Sequence, residues 1–94
     1  MFDREIVRFY GLQGHDAYTN RGVAHYELGN QREAILDYDR AIEINPRCEG
    51  VYYNRGVAHN ELGNRMQAIE DMKTAARFDI ENAKNFLKSQ GINW

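Results

Sequence analysis

Asn20-Arg21-Gly22-Val23-Ala24-His25 returns letter for letter as Asn54-Arg55-Gly56-Val57-Ala58-His59, and Glu27-Leu28-Gly29-Asn30 returns as Glu61-Leu62-Gly63-Asn64, each shifted by 34 residues. A period of roughly 20 to 50 residues marks a supersecondary unit that cannot bury its apolar face alone. Such units stack on their neighbours and leave an extended concave surface open to a partner. The recurrence therefore predicts an all-α array with a binding role.

The two copies span residues 15–48 and 49–82. In the first, Tyr18, Gly22 and His25 fall at helical spacing, followed by Leu28-Gly29 and then Ala34, Tyr38, Ala41 and Pro46. The second places Tyr52, Gly56, His59, Leu62-Gly63, Ala68, Met72 and Ala75 in the same register, with Ile80 where Pro46 stands. Small, large and turn positions agree in order, twice. The pattern resembles the tetratricopeptide repeat family, in which W-x2-L-G-x2-Y is followed by A-x3-F and then by A and P. Three departures recur: tyrosine (Tyr18, Tyr52) for tryptophan, arginine (Arg21, Arg55) for leucine, and histidine (His25, His59) for tyrosine. The resemblance implies a single domain built as a short right-handed superhelix of two helix-turn-helix repeats. An amino-terminal helix and joint would occupy 1–14, and a capping helix and tail 83–94.

Local punctuation supports the same division. Phe2, Ile6, Phe9 and Tyr10 share one helical face before Gly11 to Gly14 interrupt it. A helix from Asp16 to Leu28 ends at Gly29, because glycine just past the last turn takes the left-handed conformation without a Cβ clash. Asn30 with Glu33, and Asn64 with Gln67, read as helix caps with capping-box partners. Asn45-Pro46 closes the second helix. Without a proline at Ile80, the last helix begins at Asp79 or Glu81, carries Ala83, Phe86 and Leu87, and stops at Gly91. Six short helices are expected. Gly22 and Gly56 lie mid-helix, where glycine costs about 1 kcal/mol relative to alanine. Close approach of the partner helix, through Ala34, Ala41, Ala68 and Ala75, explains that cost, with Tyr18, Tyr38, Tyr52 and Met72 filling the remaining volume. Arginine recurs with an aspartate on the following helix, which predicts the ion pairs Arg21–Asp37 and Arg55–Asp71.

With 94 residues and a net charge of −2, the chain is small enough that core burial alone gives marginal stability. Both apolar ends of the array need covers: residues 2–10 over the first repeat, and the helix of Phe86 and Leu87, with Trp94 folded back, over the second. Partial covers would favour a homo-oligomer or exchange of a terminal helix. The basic footprint of a nucleic-acid binder is missing, and no apolar run has the length of a membrane span, so a cytoplasmic protein is expected. The single Cys48 falls in the turn between repeats and fits a reducing compartment. His25 and His59 lie about 10 Å apart by helix spacing, far beyond the joint reach of zinc bonds of about 2.0–2.1 Å, and His15 sits elsewhere. No nucleophile and base are placed together, and the glycines follow no strand as a phosphate cradle would require. No catalytic residue, metal or cofactor is assigned.

The resemblance implies that the first helix of each repeat lines the groove. Thr19, Asn20, Val23 and Tyr26 would face it from the first repeat, and Tyr53, Asn54, Val57 and Asn60 from the second. A carboxamide both donates and accepts, so Asn20 and Asn54 can grip the main chain of an extended peptide without reading its side chains. This pairing is similar to the asparagine ladder in the repeats of the O-linked N-acetylglucosamine transferase. Tyr26 and Tyr53 supply apolar area. The carboxylate clamp of chaperone-binding members is matched only by Asn54, Lys84 and Lys88; Thr19 and Val23 stand where that clamp needs a lysine and an asparagine. A basic corner at Lys84 and Lys88 remains for an acidic partner. The function expected is that of an adaptor holding a peptide or protein in its groove. The alternatives are a self-assembling structural unit and, more remotely, a chaperone clamp.

Overall fold

The computed structural model of the protein describes residues 14–94. Within them lie five helices: α1 (Gly14–Glu27), α2 (Gln31–Ile44), α3 (Glu49–Glu61), α4 (Arg65–Arg77) and α5 (Glu81–Ser89). Each packs on its sequence neighbours, and α1 also touches α3. The expected all-α stack of two helix pairs with a carboxy-terminal cap is therefore present. The helix expected over residues 2–10 and most of its joint lie outside the described residues. Gly14, assigned to the joint, instead opens α1 and is buried.

The helices end by one device used four times. Gly29, Gly63 and Gly91 have φ of 85°, 84° and 71°, and the next residue's N–H reaches back to close the final turn: Asn30 to the His25 carbonyl at 2.8 Å, Asn64 to His59 at 2.9 Å and Ile92 to Leu87 at 2.9 Å. These are Schellman turns, which satisfy carbonyls that the helix itself leaves open. Asp79 makes the fourth, at φ 72°, with the Ile80 N–H bonded to the Ala75 carbonyl at 3.0 Å. An aspartate tolerates this region better than most non-glycine residues. The last helix then starts at Glu81, the second of the two expected positions.

The capping boxes are not formed. Neither Asn30 nor Asn64 makes a side-chain cap hydrogen bond. Each asparagine is also the residue that closes the preceding Schellman turn, so its backbone is fixed from behind, and the Asn64 carboxamide lies 3.2 Å from Nδ1 of His59.

Both mid-helix glycines sit where the partner helix comes closest. A Cβ on Gly22 would meet the Tyr38 ring at 2.6 and 2.9 Å, and one on Gly56 would meet Asp71 Cβ at 3.1 Å and the Met72 terminal methyl at 3.2 Å. Ala34, Ala41, Ala68 and Ala75 are fully buried, and Tyr38 and Met72 nearly so. The core divides into two clusters. Tyr18, Ala34, Tyr38 and Ala41 are closed by Val51 from the second repeat, while Met72, Ala75, Ala76, Ala83 and Leu87 collect Ile80, Phe86 and Ile92 around them. The cover of the second repeat thus differs from expectation. Trp94 is 43% exposed, and Ile92 packs on the cluster in its place. The turn at Gly91 explains this, because a Schellman motif brings the residue after the glycine onto the apolar residue near the helix end, here Leu87.

Both expected ion pairs form, each as a two-pronged fork. Arg21 donates to Asp37 at 2.8 and 2.6 Å, and Arg55 to Asp71 at 2.9 and 2.8 Å. Asp37 and Asp71 are buried, at 3% and 6% exposure, so these are not the surface pairs whose worth is about 0–1 kcal/mol. Arg55 also donates to Asp39 of the first repeat at 2.7 Å, which ties the repeats together. Hydrogen bonding to Asp71 outweighs burial and holds the Arg55 guanidinium even more firmly charged than usual.

Candidate groove between the first helices of the two repeats

The equivalent helices α1 and α3 touch each other, so side chains from both repeats meet at the seam between them. Val23, Tyr26 and Glu27 from α1 and Tyr53, Asn54 and Val57 from α3 enclose a cavity of about 310 Å³, with Tyr38 of α2 at its base. Five of the ten residues assigned to the groove from sequence, namely Val23, Tyr26, Tyr53, Asn54 and Val57, line it together. Val23 and Tyr26 pack on the first core cluster, and Tyr53 and Val57 on the second. The cavity therefore straddles the seam between repeats.

The other five lie apart from it. Thr19 turns its hydroxyl back to the His15 carbonyl at 2.7 Å, an i−4 bond that fixes its orientation. Asn20 and Asn60 are exposed and do not line the cavity, so Asn54 alone of the asparagine pair does. Lys84 donates to Asp79 in the preceding turn; the carboxylate raises the lysine and is lowered in return, chiefly through that hydrogen bond. Lys88 is exposed on α5. The basic corner is thus half neutralised from within.

Polar contacts stiffen the groove's rim. The Tyr26 hydroxyl donates to one carboxylate oxygen of Glu61, and Gln31 Nε2 donates to the other at 2.9 Å. The bond to Glu61, followed by burial, pushes the Tyr26 phenol up to about 12. Burial does the same for Tyr38, again to about 12. Glu27, Tyr38 and Glu61 were not assigned to the site from sequence. The glutamates carried a signal nonetheless, since both fall in the repeated Glu-Leu-Gly-Asn tetrapeptide, one residue after the groove positions Tyr26 and Asn60.

A second hollow, of about 550 Å³, lies between α3 and α4, bounded by Arg55, His59, Met66, Gln67, Glu70 and Asp71. Its charged floor, Arg55 with Asp71, is already paired. His59 is lowered below the usual imidazole value, mainly by burial, while Nδ1 of its counterpart His25 is buried with no hydrogen-bond partner. Burial pushes the Cys48 thiol up, away from a reactive thiolate. Among the described residues no three His, Cys, Asp or Glu side chains gather as a metal site, and no helix is long and apolar enough to cross a membrane.

Comparison with known proteins adds two findings to this geometry. Residues 15–48 and residues 50–79 each match a family profile described as tetratricopeptide repeat. A search of the curated proteins gave no match.

Proposed function

The chain belongs to the tetratricopeptide repeat family, whose repeats generally mediate protein–protein interaction, and we propose that it binds an extended peptide segment of a partner in the cavity between α1 and α3. The observation that carries this reading is the lining itself: Val23, Val57 and the rings of Tyr26, Tyr53 and Tyr38 around one carboxamide, that of Asn54. Apolar walls with a few fixed polar groups are the usual make-up of a site that takes its affinity from burial and its orientation from hydrogen bonds. Asn54 grips main chain, the valines and tyrosines cover two or three side chains, and the Tyr26–Glu61 bridge ties the two walls together at the rim.

Random dodecapeptides displayed on phage and selected on the immobilised chain test the proposal. Val57→Arg fills the cavity from the half-buried wall of α3, and its melting curve checks that the fold persists. Binders that saturate the native chain and lose that binding on Val57→Arg are expected. A selection whose binders all tolerate the blocked cavity would remove the groove from the account.

A second reading, self-association through the outer face of α1, draws on an asymmetry between the repeats. Leu28 is 76% exposed and Ala24 is exposed, whereas Leu62 is half-buried and Ala58 fully buried. Sedimentation equilibrium decides it: a dimer dispersed by Leu28→Glu supports the reading, and a monomer at high concentration removes it.

A further inference from the structure

The chemistry of the bound segment follows from the ionic groups that the fold leaves uncompensated around the cavity. Among the described residues no lysine or arginine lines it. Arg21 and Arg55 turn to Asp37, Asp39 and Asp71 on α2 and α4, Lys84 is taken by Asp79, and Lys88 stands outside on α5. Negative charge is what remains. Glu27 lines the cavity and is exposed, and no hydrogen bond or ion pair engages it among the described residues. Its field reaches the cavity base, adding to burial in raising the Tyr38 phenol. At the rim, Glu61 accepts, among the described residues, from Tyr26 and Gln31; both donors are neutral, so its charge is oriented without being cancelled.

Resting on the groove reading above, we infer that the segment is a basic-apolar peptide: a lysine or arginine near Glu27 and Glu61, flanked by apolar side chains on Val23 and Val57. The Tyr26 and Tyr53 rings favour the same ligand, since an aromatic face attracts a cation. An acidic tail of the kind a carboxylate clamp takes meets a carboxylate in this cavity and another at its rim, with no counter-charge among the described lining residues, and like-charge juxtaposition excludes wrong partners effectively.

The closing experiment reads the sequences of the dodecapeptides whose binding is lost on Val57→Arg. Lysine and arginine should be enriched in them and aspartate and glutamate depleted. For one such synthetic peptide, followed by fluorescence anisotropy, Glu27→Gln should weaken binding about two- to five-fold, the range of an exposed ion pair. The loss should shrink as salt screens the charge. Glu49→Gln, an equal charge change on the exposed start of α3 outside the cavity, should leave affinity unchanged. Groove-dependent binders that are neutral or acidic, or equal effects of the two glutamate variants, would overturn the charge inference and leave the groove standing. A selection yielding no groove-dependent binder would overturn both.

Discussion

The two mid-helix glycines offer a paired test, because they share a sequence context and differ in what they face. Alanine in either helix gains about 1 kcal/mol of helix propensity. Against this stands the space available. At Gly22 a new methyl would sit 2.6 Å from one ring carbon of Tyr38 and 3.3 Å from the Ala34 carbonyl oxygen, where carbon atoms normally rest about 3.5–4.0 Å apart. Tyr38 is 1% exposed and its ring is rigid, so the overlap cannot be relieved by a rotamer change. Overpacking of this kind costs about 1–3 kcal/mol, and a rigid obstacle puts Gly22 at the upper end. The net expectation for Gly22→Ala is a loss of about 2 kcal/mol. At Gly56 the nearest atoms are Asp71 Cβ at 3.1 Å and the terminal methyl of Met72 at 3.2 Å. Methionine is unbranched and yields readily, and Asp71 Cβ, fixed to α4, has to give by only a few tenths of an ångström, so the gain and the strain nearly cancel. Gly56→Ala should change stability by less than about 1 kcal/mol.

Urea unfolding followed by far-UV circular dichroism measures both, with an unchanged slope showing that the same surface unfolds. In a thermal melt the Gly22 variant should fall by about 8–16 °C, at about 4–8 °C per kcal/mol for a domain of this size. Tyr38→Met recreates in the first repeat the pairing native to the second, so in the Gly22→Ala background it should recover about 1–2 kcal/mol relative to additivity. Equal midpoints for the two glycine variants, or no coupling between positions 22 and 38, would refute the packing argument.

Three other outcomes follow from the same contacts. Arg55→Leu strands the buried Asp71 and should cost about 3–5 kcal/mol, whereas Asp39→Asn weakens only the bond between the repeats and should cost about 0.5–1 kcal/mol; no loss in chemical denaturation from Asp39→Asn would count against the inter-repeat role. His59 has its pKa lowered by burial, so its contribution to stability is complete above the ordinary imidazole value of 6.5 and is lost as pH falls through the lower folded value. Urea midpoints should drop below pH 6.5 and drop less in His59→Gln, and an NMR titration placing His59 above 6.5 would reverse that sign. Ile92→Ala should cost about 1–2 kcal/mol as a partly buried aliphatic while Trp94→Ala stays within about 0.5 kcal/mol; the opposite order would show that the tail tryptophan, not Ile92, seals the end.

Repetition made much of the fold legible. A glycine that costs helix propensity twice at a 34-residue interval has to be answered by a small surface, and an arginine that displaces leucine twice, with aspartate 16 residues on, points to its partner. What escaped the sequence depends on geometry between units. Asn30 and Asn64 have the composition of helix caps, yet each is first claimed by the turn that ends the helix before it. Ile92 displaces Trp94 because a left-handed residue at Gly91 chooses which side chain swings onto Leu87. The groove was half visible: positions on α1 and α3 could be assigned by register, but which of them converge on one cavity depends on how the two helices meet.

Beside the burial of Val51 in the first repeat's core, ionic and hydrogen-bonded links on either side of the seam help to fix that meeting. Asp39 to Arg55 joins α2 to α3 at 2.7 Å, and Tyr26 to Glu61 joins α1 to α3 at the groove rim. Shifting the first link by one repeat brings Lys73 and Ser89 to the places of Asp39 and Arg55, so the ionic rung cannot recur at the junction with α5. There Ala83, Leu87 and Ile92 close the stack by apolar burial instead. The junction between the repeats therefore adds a directional element to the burial of Val51: apolar burial is itself non-directional, whereas the charge-assisted bond from Arg55 to Asp39, with the guanidinium already held in a fork by Asp71, favours one relative placement of α2 and α3. The seam that needs a defined placement is the one beneath the cavity, whose walls belong to separate core clusters. A cavity across such a seam takes its shape from these directional links as well as from burial, which makes Asp39, Arg55 and Glu61 part of the frame that holds its lining residues in place.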